Sequence, residues 1–232
     1  MASLKRIATY SLALSGLILA GCKSQDEPDA STSAPFILTG APIPDGAKLC
    51  VIGDAGSGES GQQKVAAFLA KEGCNRVIYV GDVIYEKGLK GPDDKQFMSK
   101  FYNPYKPLLE GGVPFHMIMG NHDYGGRVDA WLTLAKRYEG KIIFPHYYYA
   151  EDDGDVCFFG IDTDIPLEQE DNSEQQQWVI GALDKIKAQG TCKLSIAYSH
   201  HHFVSSGEYG EAEPEIRGFL SDTVLGRADI YI

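Results

Sequence analysis

Five short, nearly uninterrupted apolar runs set the framework of this chain: Leu49-Cys50-Val51-Ile52, Val77-Ile78-Tyr79-Val80, Met117-Ile118-Met119, Val156-Cys157-Phe158-Phe159 and Leu194-Ser195-Ile196-Ala197-Tyr198. Runs of this length without polar alternation suit strands covered on both faces. Helical patterns lie between them. Val65, Phe68 and Leu69 repeat at helical spacing, and Gly73 is placed to stop that helix. Val128, Trp131, Leu132 and Ala135 form a second stripe. Ser173 with Gln176 reads as a capping box, opening a helix with Val179, Ala182, Leu183 and Ile186 inward and Gly190 beyond its end. Trp131 and Trp178 read as core. The class is α/β, built around a covered sheet.

Chemistry gathers where those runs stop. The first ends in Gly53-Asp54-Ala55-Gly56, the second in Gly81-Asp82-Val83-Ile84-Tyr85, the third in Gly120-Asn121-His122-Asp123 and the last in Ser199-His200-His201-His202. The carboxyl ends of strands are the rim where α/β sheets place ligands. Carboxylates, an amide oxygen and imidazoles are hard or borderline donors suited to Fe, Mn or Zn. Glycine at the first three turns lets the chain bend without a Cβ clash, so the next side chain can face a shared centre.

In this order the motifs resemble the calcineurin-like metallophosphoesterases, and among them the purple acid phosphatases of the small, tartrate-resistant type. That family carries D-x-G, G-D-x-x-Y, G-N-H-D/E, V-x-x-H and G-H-x-H. Asp54-Ala55-Gly56, Gly81 to Tyr85 and Gly120 to Asp123 match outright, and Ala197 to His200 matches with a small residue in place of Val. Tyr85 points to the purple subfamily. Phe144-Pro145 before Tyr147 to Tyr149, Phe159-Gly160-Ile161-Asp162-Thr163 and the Trp178 helix resemble the small type as well. The likeness runs from about Lys48 to Ile232. It implies a β-sandwich of two mixed sheets flanked by helices, in four αββα layers.

The resemblance also implies two metal ions. Asp54, Asp82 and the Tyr85 phenolate would hold Fe(III); Asp82 as bridge, Asn121 and His200 would hold Fe(II), Zn or Mn. Tyrosine has an ordinary pKa of about 10, so only a strongly charged cation keeps it as phenolate near neutral pH. Two such cations can clamp phosphoryl oxygens for in-line attack. His122 would protonate the leaving alkoxide, and Asp123 is expected to orient His122, with ordinary turn chemistry as the alternative. A trivalent and a divalent ion would turn a pocket of two carboxylates and a phenolate from about −3 to about +2.

The match is not complete. Ala228-Asp229-Ile230-Tyr231-Ile232 resembles the strand that leads into G-H-x-H, and that motif is absent; its histidines would give one ligand to each metal. The expectation is a fragment of a longer chain, the alternative a weakened or inactive relative. His200 is the register match among the three histidines. His201 and His202 are expected to line the pocket, with either open as a substitute ligand, and His116 and His146 to be structural.

The amino terminus reads as an address. Lys5 and Arg6 precede an apolar stretch from Ile7 to Ala20, and Leu19-Ala20-Gly21-Cys22 resembles the lipobox of bacterial lipoproteins. The expected organisation is a signal peptide over 1–21, a tether over 22–47 rich in Ser, Asp, Pro and Ala, and a catalytic domain over 48–232. Cys22 would carry the lipid that anchors the exported protein in a bacterial cell envelope. Oxidising conditions there would allow disulfides among Cys50, Cys74, Cys157 and Cys192, whose pairing stays open; buried thiols are the alternative.

Composition narrows the alternatives. The 232 residues carry 32 Asp plus Glu against 21 Lys plus Arg, a formal charge of −11, and removing Lys5 and Arg6 with the leader makes it −13. An acidic chain without clustered bases is a poor nucleic-acid partner. No apolar run reaches the roughly 18–20 residues of a membrane-spanning helix. Gly53 to Gly61 lacks the Gly-Lys-Ser/Thr ending of a P-loop, Ser57 and Ser60 fail the nucleophile-elbow spacing, and no C-x-x-C pair suggests a zinc–thiolate site. The expected function is phosphomonoester hydrolysis of the acid phosphatase kind. A phosphodiesterase or nucleotidase, and a non-catalytic envelope binding protein, are the alternatives; substrate and oligomeric state stay open.

Overall fold

The computed structural model describes residues 37–168, 171–190 and 192–232. The strands are β1 (Ile37–Thr39), β2 (Leu49–Ile52), β3 (Arg76–Val80), β4 (Phe115–Ile118), β5 (Ile142–Ile143), β6 (Tyr149–Asp152), β7 (Val156–Gly160), β8 (Leu194–Tyr198) and β9 (Ile230–Tyr231). They form two sheets. One, ordered β2-β3-β4-β5, is parallel throughout. The other, ordered β1-β6-β7-β8-β9, is mixed, with β6 antiparallel to β7.

Parallel neighbours need crossover connections, which here are helical. Helices α1 (Ser60–Glu72), α2 (Asn103–Glu110, entered through a π-helical turn at Phe97–Tyr102), α3 (Asn121–Tyr124) and α4 (Asp129–Arg137) connect the four-stranded sheet. Helices α5 (Ile165–Glu168), α6 (Ser173–Gln189) and α7 (Pro214–Thr223) follow β7 and β8. Strand alternation then sorts side chains into layers. Tyr79 and Phe115 stack on Tyr105 of α2, with ring centroids 6.0 and 5.2 Å away. Phe158 and Ile196 join the core shared with the four-stranded sheet, while Phe159 and Ala197 pack with Trp178, Val179 and Phe219 of α6 and α7. This is the expected four-layer sandwich, except that one of its sheets is parallel throughout rather than mixed, and burial on both faces is why the strands read as continuous apolar runs. No helix among the described residues is long and apolar enough to cross a membrane.

Several local expectations need correction. The first helix forms, but its inward face is Gln62, Ala66 and Leu69, leaving Val65 at 41% and Phe68 at 60% exposure. Gln62 takes the inward place because both ends of its amide find backbone partners, Gly58 N–H and Lys100 C=O. The long helix α6 is capped at Asn172 without a side-chain capping bond, so Ser173 and Gln176 make no capping box. Asp171 instead accepts the Ser173 N–H at 2.9 Å. Part of the expected tether is in the sheet: Ile37–Thr39 pairs in parallel with β6, as Ile37 and Leu38 supply a short apolar strand. Residues 1–21 and Cys22 lie outside the described residues.

The structure settles the cysteine pairing as Cys50–Cys74 and Cys157–Cys192, so neither Cys50 nor Cys157 is a free buried thiol. The first ties β2 to the end of α1, and the second ties β7 to the approach to β8. Between the sheets lies a buried charge cluster. Arg76 Nη2 is 2.6 Å from Asp153 Oδ2, and His116 Nδ1 is 2.8 Å from Glu151 Oε2. Burial lowers the His116 pKa and pushes the Asp153 carboxyl up to about 6. His116 is therefore structural, as is His146, whose Nδ1 lies 3.1 Å from its neighbour Tyr148's carbonyl.

Candidate metal centre

The turns after β2, β3, β4 and β8 converge. Oxygens of Asp54 and Asp82 and a ring nitrogen of His200 lie within 4.8 Å of one another. Asp54 and Asp82 have φ of 52° and 54°, a left-handed conformation that side chains resist. Such strain is characteristic of sites where the surroundings dictate the direction of a side chain. Two glycines make the approach possible. A Cβ on Gly81, itself at φ 85°, would meet His200 Nδ1 at 2.7 Å, and one on Gly120 would meet Asp82 Oδ1 at 2.4 Å.

Asp82 is the hub, 2% exposed. Its Oδ1 accepts the His122 N–H at 3.0 Å and lies 3.5 Å from His200 Nε2. His200 Nδ1 is 2.9 Å from the Val80 carbonyl, to which it donates. That leaves Nε2 with a lone pair, 3.0 Å from Asn121 Oδ1. A bare nitrogen, an amide oxygen and a carboxylate are thus aimed at one another. Three acceptors held this close are mutually repulsive, and a cation among them satisfies all three.

On the other side of Asp82, Tyr85 donates its hydroxyl to Asp54 Oδ1 at 2.9 Å. Burial raises the Tyr85 pKa well above the ordinary phenol value, and hydrogen bonds to Asp82 and Asp54 raise it further. Only a cation of high charge would draw this phenol into phenolate form. The donor set therefore fits two cations sharing Asp82. Tyr85 adjoins the group of Asp54, Asp82 and His200 through Asp54, and Asn121 adjoins it through His200.

His122 stands beside the set. Its ring lies 4.4 Å from that of Tyr85, and Nδ1 sits 2.7 Å from the Glu86 carbonyl. Asp123 does not orient it, contrary to expectation. Its carboxylate is turned inward, accepting Val83 N–H at 3.0 Å, Ile84 N–H at 3.1 Å and Gly120 N–H at 3.1 Å. Burial raises its pKa to about 6. Asp123 thus staples the α3 turn to the loop after β3, because three backbone donors outbid one imidazole.

His201 and His202 are not in the set. His201 Nδ1 lies 2.8 Å from Thr163 Oγ1, and burial lowers its pKa to about 4. His202 Nε2 faces the Gly210 carbonyl at 3.2 Å. A second cluster, Asp152, Cys157 and Cys192, offers no thiolate because its cysteines are disulfide-bonded. Asp162, named above only within the stretch from Phe159 to Thr163 and given no role in the site, is 1% exposed just beyond β7. The signal was a looser one: Gly160-Ile161-Asp162 sets a carboxylate two residues after a strand-end glycine, where Gly53-Asp54 and Gly81-Asp82 set it directly after.

Known proteins resemble this chain. The calcineurin-like phosphoesterase family profile matches residues 47–226. Purple acid phosphatase 4 of Arabidopsis thaliana is 28% identical over 215 residues, covering 83% of this chain and 62% of that protein. Tartrate-resistant acid phosphatase type 5 of Sus scrofa is 29% identical over 85 residues, covering 37% of this chain and 25% of that protein. The chain thus spans about three fifths of the length of the plant relative. Among solved structures, one described as GAP50, the anchor in the inner membrane complex of Plasmodium, superposes with a TM-score of 0.61 at 20% identity. It covers 80% of this chain and 64% of that one, a likeness of fold alone. By its profile match and its two-sheet architecture, this chain belongs to the calcineurin-like phosphoesterases.

Proposed function

We propose that the chain carries the site of a metal-dependent phosphomonoesterase of the acid phosphatase kind. The observation that carries the reading is the convergence on Asp82, whose Oδ1 lies 3.5 Å from His200 Nε2 and whose carboxylate lies within 4.8 Å of that of Asp54, the acceptor of the Tyr85 hydroxyl. Asp54, Asp82 and Tyr85 would hold Fe(III); Asp82, Asn121 and His200 would hold Fe(II), Zn or Mn. Bound there, the cations supply the Lewis acidity that activates water and offsets the charge of the phosphate.

The chain's own groups do the rest. Asp82 keeps the two halves of the ligand set in register. His122 donates its Nδ1–H to the Glu86 carbonyl, so Nε2, 3.9 Å from Asp82 Oδ2, would carry the second proton of an imidazolium and give that proton to the leaving alkoxide. Comparing p-nitrophenyl phosphate with bis(p-nitrophenyl) phosphate on metal-loaded protein tests the reading. Preference for the monoester with two bound ions supports it; preference for the diester supports the phosphodiesterase alternative. Absence of bound metal and of hydrolysis supports a non-catalytic binding protein.

The location proposed is the cell envelope, with Cys22 as the lipidated residue. Lys5, Arg6 and the apolar stretch ending at Cys22 support it, and two disulfides fit an oxidising compartment. Cys22→Ala should move the protein from the membrane fraction to the soluble fraction; unchanged partition overturns the assignment.

A further inference from the structure

The turn after β7 carries a carboxylate that the ligand set does not use. A buried carboxylate is tolerated only when its oxygens are bonded, and those of Asp162 are. Oδ1 accepts the N–H of Asp164 at 3.0 Å and lies 3.4 Å from that of Ile165. Oδ2 accepts the hydroxyl of Tyr124. Gln175 of α6 grips the Asp162 backbone from behind in both directions. Its Oε1 accepts the Asp162 N–H at 2.9 Å, and its Nε2 donates to the Asp162 carbonyl at 2.8 Å. Gln175 is itself 2% exposed.

Tyr124 ends the four-residue α3 turn, which begins at Asn121 and includes His122. A helix of one turn has no stability of its own and takes its position from its attachments. Asp123 ties α3 to the loop after β3, and the His122 N–H ties it to Asp82. Both attachments belong to the four-stranded sheet. His200 is carried by the five-stranded sheet, and so is Asp162. The Tyr124–Asp162 bond is therefore a strut that relates α3 to the sheet bearing its ligand partner.

We infer that Asp162 is a positioning residue. Acting through the Tyr124 hydroxyl, it holds Asn121 and His122 at a set spacing from His200. The effect on catalysis rests on the phosphoesterase reading; the effect on α3 does not.

Tyr124→Phe in the full chain removes the donor and keeps the ring. Amide hydrogen exchange at His122 to Gly125 should quicken about tenfold, with exchange in β3 and β8 unchanged. On metal-loaded protein, kcat for an alkyl phosphate should fall about tenfold more than kcat for p-nitrophenyl phosphate, since a poor leaving group depends more on a well-placed His122. KM should change less than twofold. Asp162→Asn, which keeps one acceptor oxygen, should fall between wild type and Tyr124→Phe. Unchanged exchange at α3 overturns the inference, as do equal losses with both esters that simply track the melting temperature. If the wild type hydrolyses neither ester, the phosphoesterase reading fails, and exchange at α3 alone decides the strut.

Discussion

His200 Nε2 stands 3.0 Å from Asn121 Oδ1, although the residues are 79 apart in sequence and follow strands of different sheets. The ligand set is closed across the sandwich rather than along one sheet edge. Its integrity therefore depends on how the two sheets are stacked, and each prediction below probes one part of that closure.

Metal should be essential. Chelation of loaded protein is expected to abolish hydrolysis and to lower the melting temperature, because ions that bind only the folded state stabilise it by mass action. His200→Ala should reduce the stoichiometry from two ions toward one, read by elemental analysis. Two retained ions would remove His200 from the ligand set.

His122→Asn keeps the backbone N–H that Asp82 accepts at 3.0 Å while deleting the ring. Metal content should stay at the wild-type level, and kcat should fall by roughly 10²–10⁴, with alkyl esters losing most. Wild-type kcat on alkyl esters would exclude His122 as the acid.

Tyr85→Phe should leave the fold intact, since the ring packing on His122 remains. Iron-loaded wild type should show a visible phenolate-to-iron absorption band, and the variant should be colourless. A band that survives the substitution would assign the colour elsewhere.

Stability should carry an acid-side signature from Asp153. Burial raises its pKa from 3.8 to about 6 in the folded protein. The folded state therefore holds this proton more tightly than the unfolded chain. Its stabilising contribution is fully present below about pH 4 and is lost as the pH rises through about 6. Asp153→Asn removes that dependence. Relative to wild type, the variant should gain on the order of 1–3 kcal/mol between about pH 4 and pH 7 in denaturant titrations. A difference that does not vary with pH would exclude the shift.

Much of the site was legible because strand ends are local features. Gly53-Asp54, Gly81-Asp82 and Gly120-Asn121 each pair a turn residue with a metal donor, and the structure gathers Asp54, Asp82, Asn121 and His200 at one centre. Asp123 was misjudged because adjacency to His122 says nothing of which way a carboxylate turns. Its destination depended on where Val83, Ile84 and Gly120 present their N–H groups. Val65, Phe68 and Leu69 gave the period of the first helix but not its rotation, which Gln62 settled by finding buried backbone partners.

Strand positions and the turns that break them follow from short-range apolar patterning and backbone preference, and the roles of Asp54, Asp82, Tyr85, Asn121 and His200 from the resemblance of their motifs to a family; these the amino-acid order carried by itself. Which cysteines join, which sheet supplies His200, and how Asp162 reaches Tyr124 were decided only in three dimensions. Those relations depend on strand register and sheet stacking, where contacts between distant segments accumulate and no local period can encode a distance.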